Sequence, residues 1–172
     1  MYDTCILWGR KRQNNRRSGY GGARGGQRHA RFACAVLKPE QSSERSLLRT
    51  MENITLFPCP QKVRFTFEMR PQELAAAKAY YRDFFERAVR PEQQTRYDML
   101  ILDEVFSLCD CGILEEETLF SFLCGYHGQA ELVLTGHTVP ARCIAMCDYA
   151  SHIKKVRHPF DHGAAARRGI EF

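Results

Sequence analysis

The run M-L-I-L-D-E, Met99 to Glu104, constrains this chain most. Tyr97–Leu102 ends in a continuous apolar stretch, the pattern of a strand buried on both faces of a parallel sheet. Two carboxylates, Asp103 and Glu104, follow it directly. Open α/β sheets bind ligands at the carboxyl ends of their strands. In phosphate-transferring proteins an acid placed there holds Mg²⁺, usually through water. A plain reading is also open, because many buried strands end in an acid at a solvated turn. A second apolar strand, Glu131–Leu134, leads into Thr135 and Gly136, another end suited to a ligand.

The segments around these strands alternate in kind. Ser42–Leu48 reads as a short helix after a polar cap. Asn53–Phe57 has strand character, closed by Pro58 and Pro60, and Val63–Phe67 alternates apolar and polar residues. Pro71 opens a long helix to about Val89, with Leu74, Ala77, Tyr81, Phe84, Phe85 and Ala88 at helical spacing. Leu114–Leu123 reads as a helix with acids in its first turn. Pro140–Tyr149 reads as a further helix and His152–Val156 as a last strand. The pattern predicts an α/β fold, a mostly parallel sheet with helices on both faces.

Composition is ordinary for a globular chain of 172 residues, 44% hydrophobic and 26% charged. No stretch approaches the ~20 apolar residues that span a bilayer, and no secretory signal follows Met1, so a cytoplasmic location is expected. The net charge of +5 is uneven. Residues 1–37 hold eight Lys and Arg against one acid, Asp3, together with six of the twelve glycines. Two segments are therefore expected: a basic Gly/Arg-rich stretch at 1–37 and an α/β domain at 38–172. Eight cysteines without a signal peptide read as reduced thiols. Cys143 and Cys147 would share a helix face and Cys109 and Cys111 lie two apart. Their spacing departs from zinc-knuckle spacing, which favours small core side chains over a metal site.

Y-D-M-L-I-L-D-E-V, C-G-I-L, L-V-L-T-G-H and the closing H-P-F-D-H-G-A-A-A-R-R-G-I-E-F together resemble the ATP:corrinoid adenosyltransferases of the CobA/BtuR type. The upstream S-S-E, Asn53–Pro60 and V-R-F-T-F-E-M fit as well, so the resemblance runs from about Lys38 to Phe172. It implies a RecA-like P-loop fold and a homodimer. The implied activity transfers the 5′-deoxyadenosyl group of ATP to Co(I) of a reduced corrinoid, supplied by an electron donor, and releases triphosphate. No membrane partner is implied. By resemblance Asp103 and Glu104 manage Mg²⁺ or Mn²⁺, Phe65 and Phe67 lie near the corrinoid, and Thr135 and Gly136 lie beside the nucleotide. His158, Pro159, Phe160, Asp161 and Gly163 form a loop near it, and His137 stands where many members carry Arg. Phe65 and Phe67 read equally as alternate residues of a half-buried strand, and His158 as a packed or solvated histidine.

The family opens with a strand and a loop of the form G-D/N-G-K-G-K-T-T, whose backbone N–H groups cradle phosphate. Here the first strand and that loop are expected to be missing. W-G-R-K-R-Q-N-N-R-R, Trp8 to Arg17, stands in their place. Codons permitted for this stretch, read one nucleotide later, spell G-D-G-K-G-K-T-T-A. Trp has the single codon TGG, which forces Gly in the shifted frame. Ala23 to Leu37 permits R-A-A-G-S-G-M-R-V-L-L-V-Q-F-L in that frame, and Lys38 resumes the family pattern in the given one. The basic segment thus reads as an out-of-frame remnant of strand, loop and first helix, and the chain as impaired in activity. Two other readings stay open. G-Y-G-G-A-R-G-G resembles an RGG segment, making the chain a non-catalytic domain with a nucleic-acid-binding arm, or the segment is disordered.

Overall fold

The computed structural model describes residues 4–9, 32–36, 43–58, 69–90, 97–128, 130–165 and 167, with 4–9, 32–36, 43, 44 and 160 described as backbone. Six strands form one sheet: β1 (Thr4–Gly9), β2 (Phe32–Val36), β3 (Ile54–Leu56), β4 (Met99–Asp103), β5 (Glu131–Gly136) and β6 (Tyr149–Ile153). Their spatial order is β3-β2-β4-β5-β1-β6. The pairs β2–β3, β2–β4 and β4–β5 are parallel, while β1 runs antiparallel to both β5 and β6. Five strands therefore share one direction and β1 alone opposes them. The described helices are α1 (Ser43–Leu48), α2 (Pro71–Ala88), α3 (Val105–Asp110), α4 (Glu116–Cys124) and α5 (Ala141–Ile144). The chain is an α/β protein.

The expectation that the first strand is missing is overturned. T-C-I-L-W-G pairs along its length with β5 (Ile6 opposite Thr135, Gly9 opposite Leu132) and with β6 (Ile6 opposite Ser151). A mostly apolar hexapeptide with two β-branched residues, Thr4 and Ile6, satisfies the ladder groups of both neighbours whichever way it runs. The strong charge of the residues after it hid this short strand in the sequence. β2 likewise forms from F-A-C-A-V inside the basic segment.

Helix α2 forms as its sequence dictates. Pro71 pre-sets the first turn, the Arg70 N–H donates to Glu73 Oε2 at 2.9 Å, and Tyr81, Phe84, Phe85 and Ala88 bury one face. These residues join Leu100, Leu102, Leu132 and Leu134, from alternate positions of β4 and β5, in one core with Phe106, Leu119 and Cys143. Met99, Ile101 and Val133 project to the other face and are only half-buried. The apolar run Met99–Leu102, expected to be buried on both faces, is fully buried only where Leu100 and Leu102 meet this core.

Three local expectations also change. Residues 105–110 form a helix that sequence reading did not anticipate. The segment expected as a helix from Pro140 to Tyr149 is helical only over Ala141–Ile144, and β6 begins at Tyr149, where pairing with β1 captures the chain. Cys147 therefore lies beyond the helix, its thiol donating to the Ile144 carbonyl at 3.0 Å. The five described side-chain thiols, Cys109, Cys111, Cys124, Cys143 and Cys147, are free. Burial, and then the nearby Glu116, Asp110 and Cys143, push the Cys109 thiol up to about 12. The expected strand at Val63–Phe67 lies outside the described residues.

Arg142 on α5 grips α4, its Nη2 at 2.7 Å from Glu116 Oε1 and its Nη1 at 2.8 Å from Glu117 Oε2, with the guanidinium 4.2 Å from the centre of the Phe120 ring. This exposed clamp orients α5 more than it stabilises the fold. The interior position of β1 has a sharper consequence. Ile6→Pro removes a ladder donor between two paired strands and is expected to destabilise the chain by about 1–3 kcal/mol, read as a lower urea midpoint.

Candidate functional site

The parallel register of β4 and β5 pairs Leu102 with Leu134. The next residues along, Asp103 and Thr135, then stand side by side where the two strands end. The Thr135 Oγ1 hydroxyl donates to Asp103 Oδ1 at 2.7 Å, and the same oxygen accepts the Glu104 N–H at 2.8 Å. Glu104 sits at the head of α3 with φ 60° and ψ 22°, the one non-glycine residue in the left-handed region among the described residues. A side chain held there costs roughly 1–2 kcal/mol, and its surroundings over-determine it. The Ser107 hydroxyl donates to Glu104 Oε2, and His137 Nε2 stands 3.7 Å from the same oxygen.

Gly136 lets α3 come down on this end of the sheet. A Cβ at Gly136 would lie 2.5 Å from Phe106 Cβ and 3.1 Å from Phe106 Cα. Phe106 is fully buried, so it has nowhere to retreat. Gly136 thus works through packing: it allows the close approach that brings Glu104 and Ser107 against β5.

The register also places the closing loop. Gly136 pairs with Cys5, Cys5 with His152, and Thr4 with Ile153. The carboxyl ends of β4, β5 and β6 therefore lie at one end of the sheet, with β6 two strand spacings, about 10 Å, from β5. From there the chain runs into the 3-10 turn Pro159–His162. The His158 carbonyl accepts the Asp161 N–H at 3.1 Å, and Gly163 closes the turn at φ 79°. Lys155 Nζ lies 2.7 Å from Asp161 Oδ1, and that contact holds the Asp161 carboxyl below the usual range. Asp161 is therefore paired with Lys155. The Phe160 side chain, Phe65 and Phe67 lie outside the described residues. Sequence reasoning missed Ser107, which sits on a short helix that the sequence pattern did not signal.

The opposite end of the sheet receives Gly9, which pairs with Leu132. Because β1 is reversed, the chain leaves it toward the basic stretch about 13 Å along β5 from Gly136, at ~3.3 Å per residue. The carboxyl end of β1 therefore lies at the end opposite Asp103 and Thr135.

The donors gathered at the acid end are carboxylate and hydroxyl oxygens, a hard set that suits Mg²⁺ or Mn²⁺. Among the described residues no group of three or more His, Cys, Asp or Glu could hold a metal. A divalent ion here would need phosphate or water oxygens to complete its shell, the usual arrangement for Mg²⁺. Among the described residues no helix is long and apolar enough to cross a membrane.

Two acids at the end of one strand, with a hydroxyl of the neighbouring parallel strand joining the carboxylate of the first to the backbone N–H of the second, mark an α/β protein with a polar site where such sheets take their ligands. Comparison with known proteins narrows the class. A family profile described as ATP:corrinoid adenosyltransferase BtuR/CobO/CobP matches residues 23–172, and the chain belongs to that family. It is similar to the corrinoid adenosyltransferase of Escherichia coli strain K12, 26% identical over 108 residues, 63% of this chain and 54% of that protein. It is also similar to the corrinoid adenosyltransferase CobA of Salmonella typhimurium strain LT2, 29% identical over 75 residues, 44% of this chain and 38% of that protein. The chain spans about half the length of the first of these relatives and less of the second.

Gly136→Ala is expected to lower stability by about 1–3 kcal/mol, the range for overpacking a filled core, measured by chemical denaturation. A variant as stable as the parent would show that α3 can move off β5.

Proposed function

We propose that this chain derives from an enzyme that transfers the 5′-deoxyadenosyl group of ATP to Co(I) of a reduced corrinoid, and that the chain as written is impaired in it. The observation that carries the reading is the Asp103–Thr135–Glu104 cluster at the carboxyl ends of β4 and β5, in a chain of this family. In this reaction Co(I) attacks C5′ with its electron pair, the C5′–O bond breaks, and triphosphate leaves with the electrons of that bond. Cobalt becomes Co(III), bonded to carbon. The nucleophile needs no activating base, so the protein's tasks are alignment and stabilisation of the leaving group's charge.

Asp103 and Glu104 would hold Mg²⁺ or Mn²⁺ with the phosphates; bound there, the ion neutralises charge building on the triphosphate. The turn from His158 to Gly163, starting from the same end of the sheet, would cover the nucleotide. Phe65 and Phe67 remain the proposed apolar wall for the corrinoid. An external electron donor supplies the reduced corrinoid. A homodimer fits the exposed apolar side chains Tyr149 and Ile153 on the edge strand β6, which a second copy would cover.

Impairment follows from the N-terminal segment. β1 occupies an interior slot of the sheet, as the family's first strand does, but its reversed direction sets its carboxyl end away from Asp103 and Thr135. The residues around Lys11 supply no glycine-rich loop, so it does not take the role of a phosphate-loop lysine. An out-of-frame origin of residues in 1–37 accounts for both the composition and the missing loop.

The test compares the 172-residue protein with a version whose segment 8–37 is restored to the shifted-frame sequence. Cobalt–carbon bond formation from ATP and chemically reduced cobalamin is followed by absorbance. The restored protein is expected to turn over, the chain as written to run at least a hundredfold slower (about 3 kcal/mol in barrier), and Glu104→Gln in the restored protein to fall comparably. Equal turnover by both would refute the impairment. Salt-sensitive RNA binding by the chain as written, with no turnover by either protein, would favour a nucleic-acid-binding arm.

A further inference from the structure

Two hydroxyls hold the two acids, and the way each spends its single proton separates them from the nucleotide. A Thr or Ser hydroxyl has one hydrogen to donate and lone pairs to accept with. Thr135 gives its hydrogen to Asp103 Oδ1 and accepts from the Glu104 N–H. Ser107 gives its hydrogen to Glu104 Oε2. Neither has a hydrogen left for a phosphate oxygen while these bonds stand.

Glu104 is the more informative of the two acids. As the residue capping α3 it makes no side-chain hydrogen bond to the helix backbone. A carboxylate at a helix start ordinarily accepts from the unsatisfied N–H groups of the first turn. This one is turned instead to Ser107 and toward His137. The backbone meanwhile holds the left-handed conformation, with its N–H fixed by Thr135. Two side chains from different elements, one on β5 and one on α3, thus fix the main chain and the carboxylate of one strained residue. Strain held in place by its surroundings is typical of functional positions.

We propose that Ser107 and Thr135 are positioning residues that orient the Glu104 and Asp103 carboxylates toward a divalent cation, and that Thr135 acts through the acids and not on the nucleotide. The inference rests on the metal role given to Asp103 and Glu104 above. Mutating a group that orients a metal's ligands typically costs about ten- to a hundredfold in metal affinity.

The test titrates Mn²⁺ alone into the 172-residue protein and follows the free-ion electron paramagnetic resonance signal, with thermal unfolding measured in parallel. Asp103→Asn and Glu104→Gln are expected to abolish binding. Ser107→Ala and Thr135→Val are expected to weaken it about ten- to a hundredfold, and Thr135→Ser, which keeps the hydroxyl, to retain parental affinity. If Thr135→Val does not fold, Ser107→Ala at its half-buried position carries the comparison. Hydroxyl variants that bind Mn²⁺ like the parent, while the acid variants do not, overturn the positioning role and leave the metal role standing. If the acid variants also bind like the parent, or the parent binds none, the metal role falls and the positioning role with it.

Discussion

The register between β4 and β5 is the constraint on which the site depends. Leu100 and Leu102 pair with Leu132 and Leu134, and all four face the same core. A slip of one residue in either strand would turn its leucines out of the core, so burial fixes the register strongly. Once it is fixed, Asp103 and Thr135 fall side by side without further design. The hydroxyl of Thr135 then ties Asp103 to the head of α3, and Gly136 leaves room for Phe106 to bring that helix down. A hydrophobic pattern several residues long thereby positions oxygen atoms to within hydrogen-bond distance.

The same sheet shows how a fold can tolerate what a site cannot. The slot between β5 and β6 needs backbone partners on both sides, and T-C-I-L-W-G supplies them in the antiparallel sense. Hydrogen-bond satisfaction is nearly indifferent to strand direction. A phosphate loop is not, because it must leave its strand at the end where the acids stand. In this chain β1 delivers its C-terminus to the opposite end. The described strands pair without a gap, while the carboxyl end of β1 lies away from Asp103.

Much of the architecture was legible from periodicity. The apolar run of β4, the second strand β5 and the helical repeat of α2 stand where their patterns put them, since each is long and its burial decides it. Short elements were harder to read. β1 is six residues ahead of a strongly basic stretch, and composition averaged over 1–37 concealed it. α3 has no conventional cap, because Glu104 begins it in a left-handed conformation. α5 stops at Ile144 because tertiary pairing takes Tyr149–Ile153 into the sheet. Asp103, Glu104, Thr135 and Gly136 were legible as a candidate site. Ser107 was not, since a lone serine on a one-and-a-half-turn helix carries no pattern. The family match also reaches back to residue 23, into the segment expected to be out of frame.

Sequencing the gene across codons 1 to 40 and translating every frame tests the origin of the N-terminal segment most directly. A compensated frameshift predicts that the bases encoding Trp8 to Arg17, read one nucleotide later, spell G-D-G-K-G-K-T-T, and that the shifted frame continues until it rejoins the given one near Leu37. Codons that permit no phosphate loop in any frame would contradict it, and the basic segment would then be a genuine part of this protein.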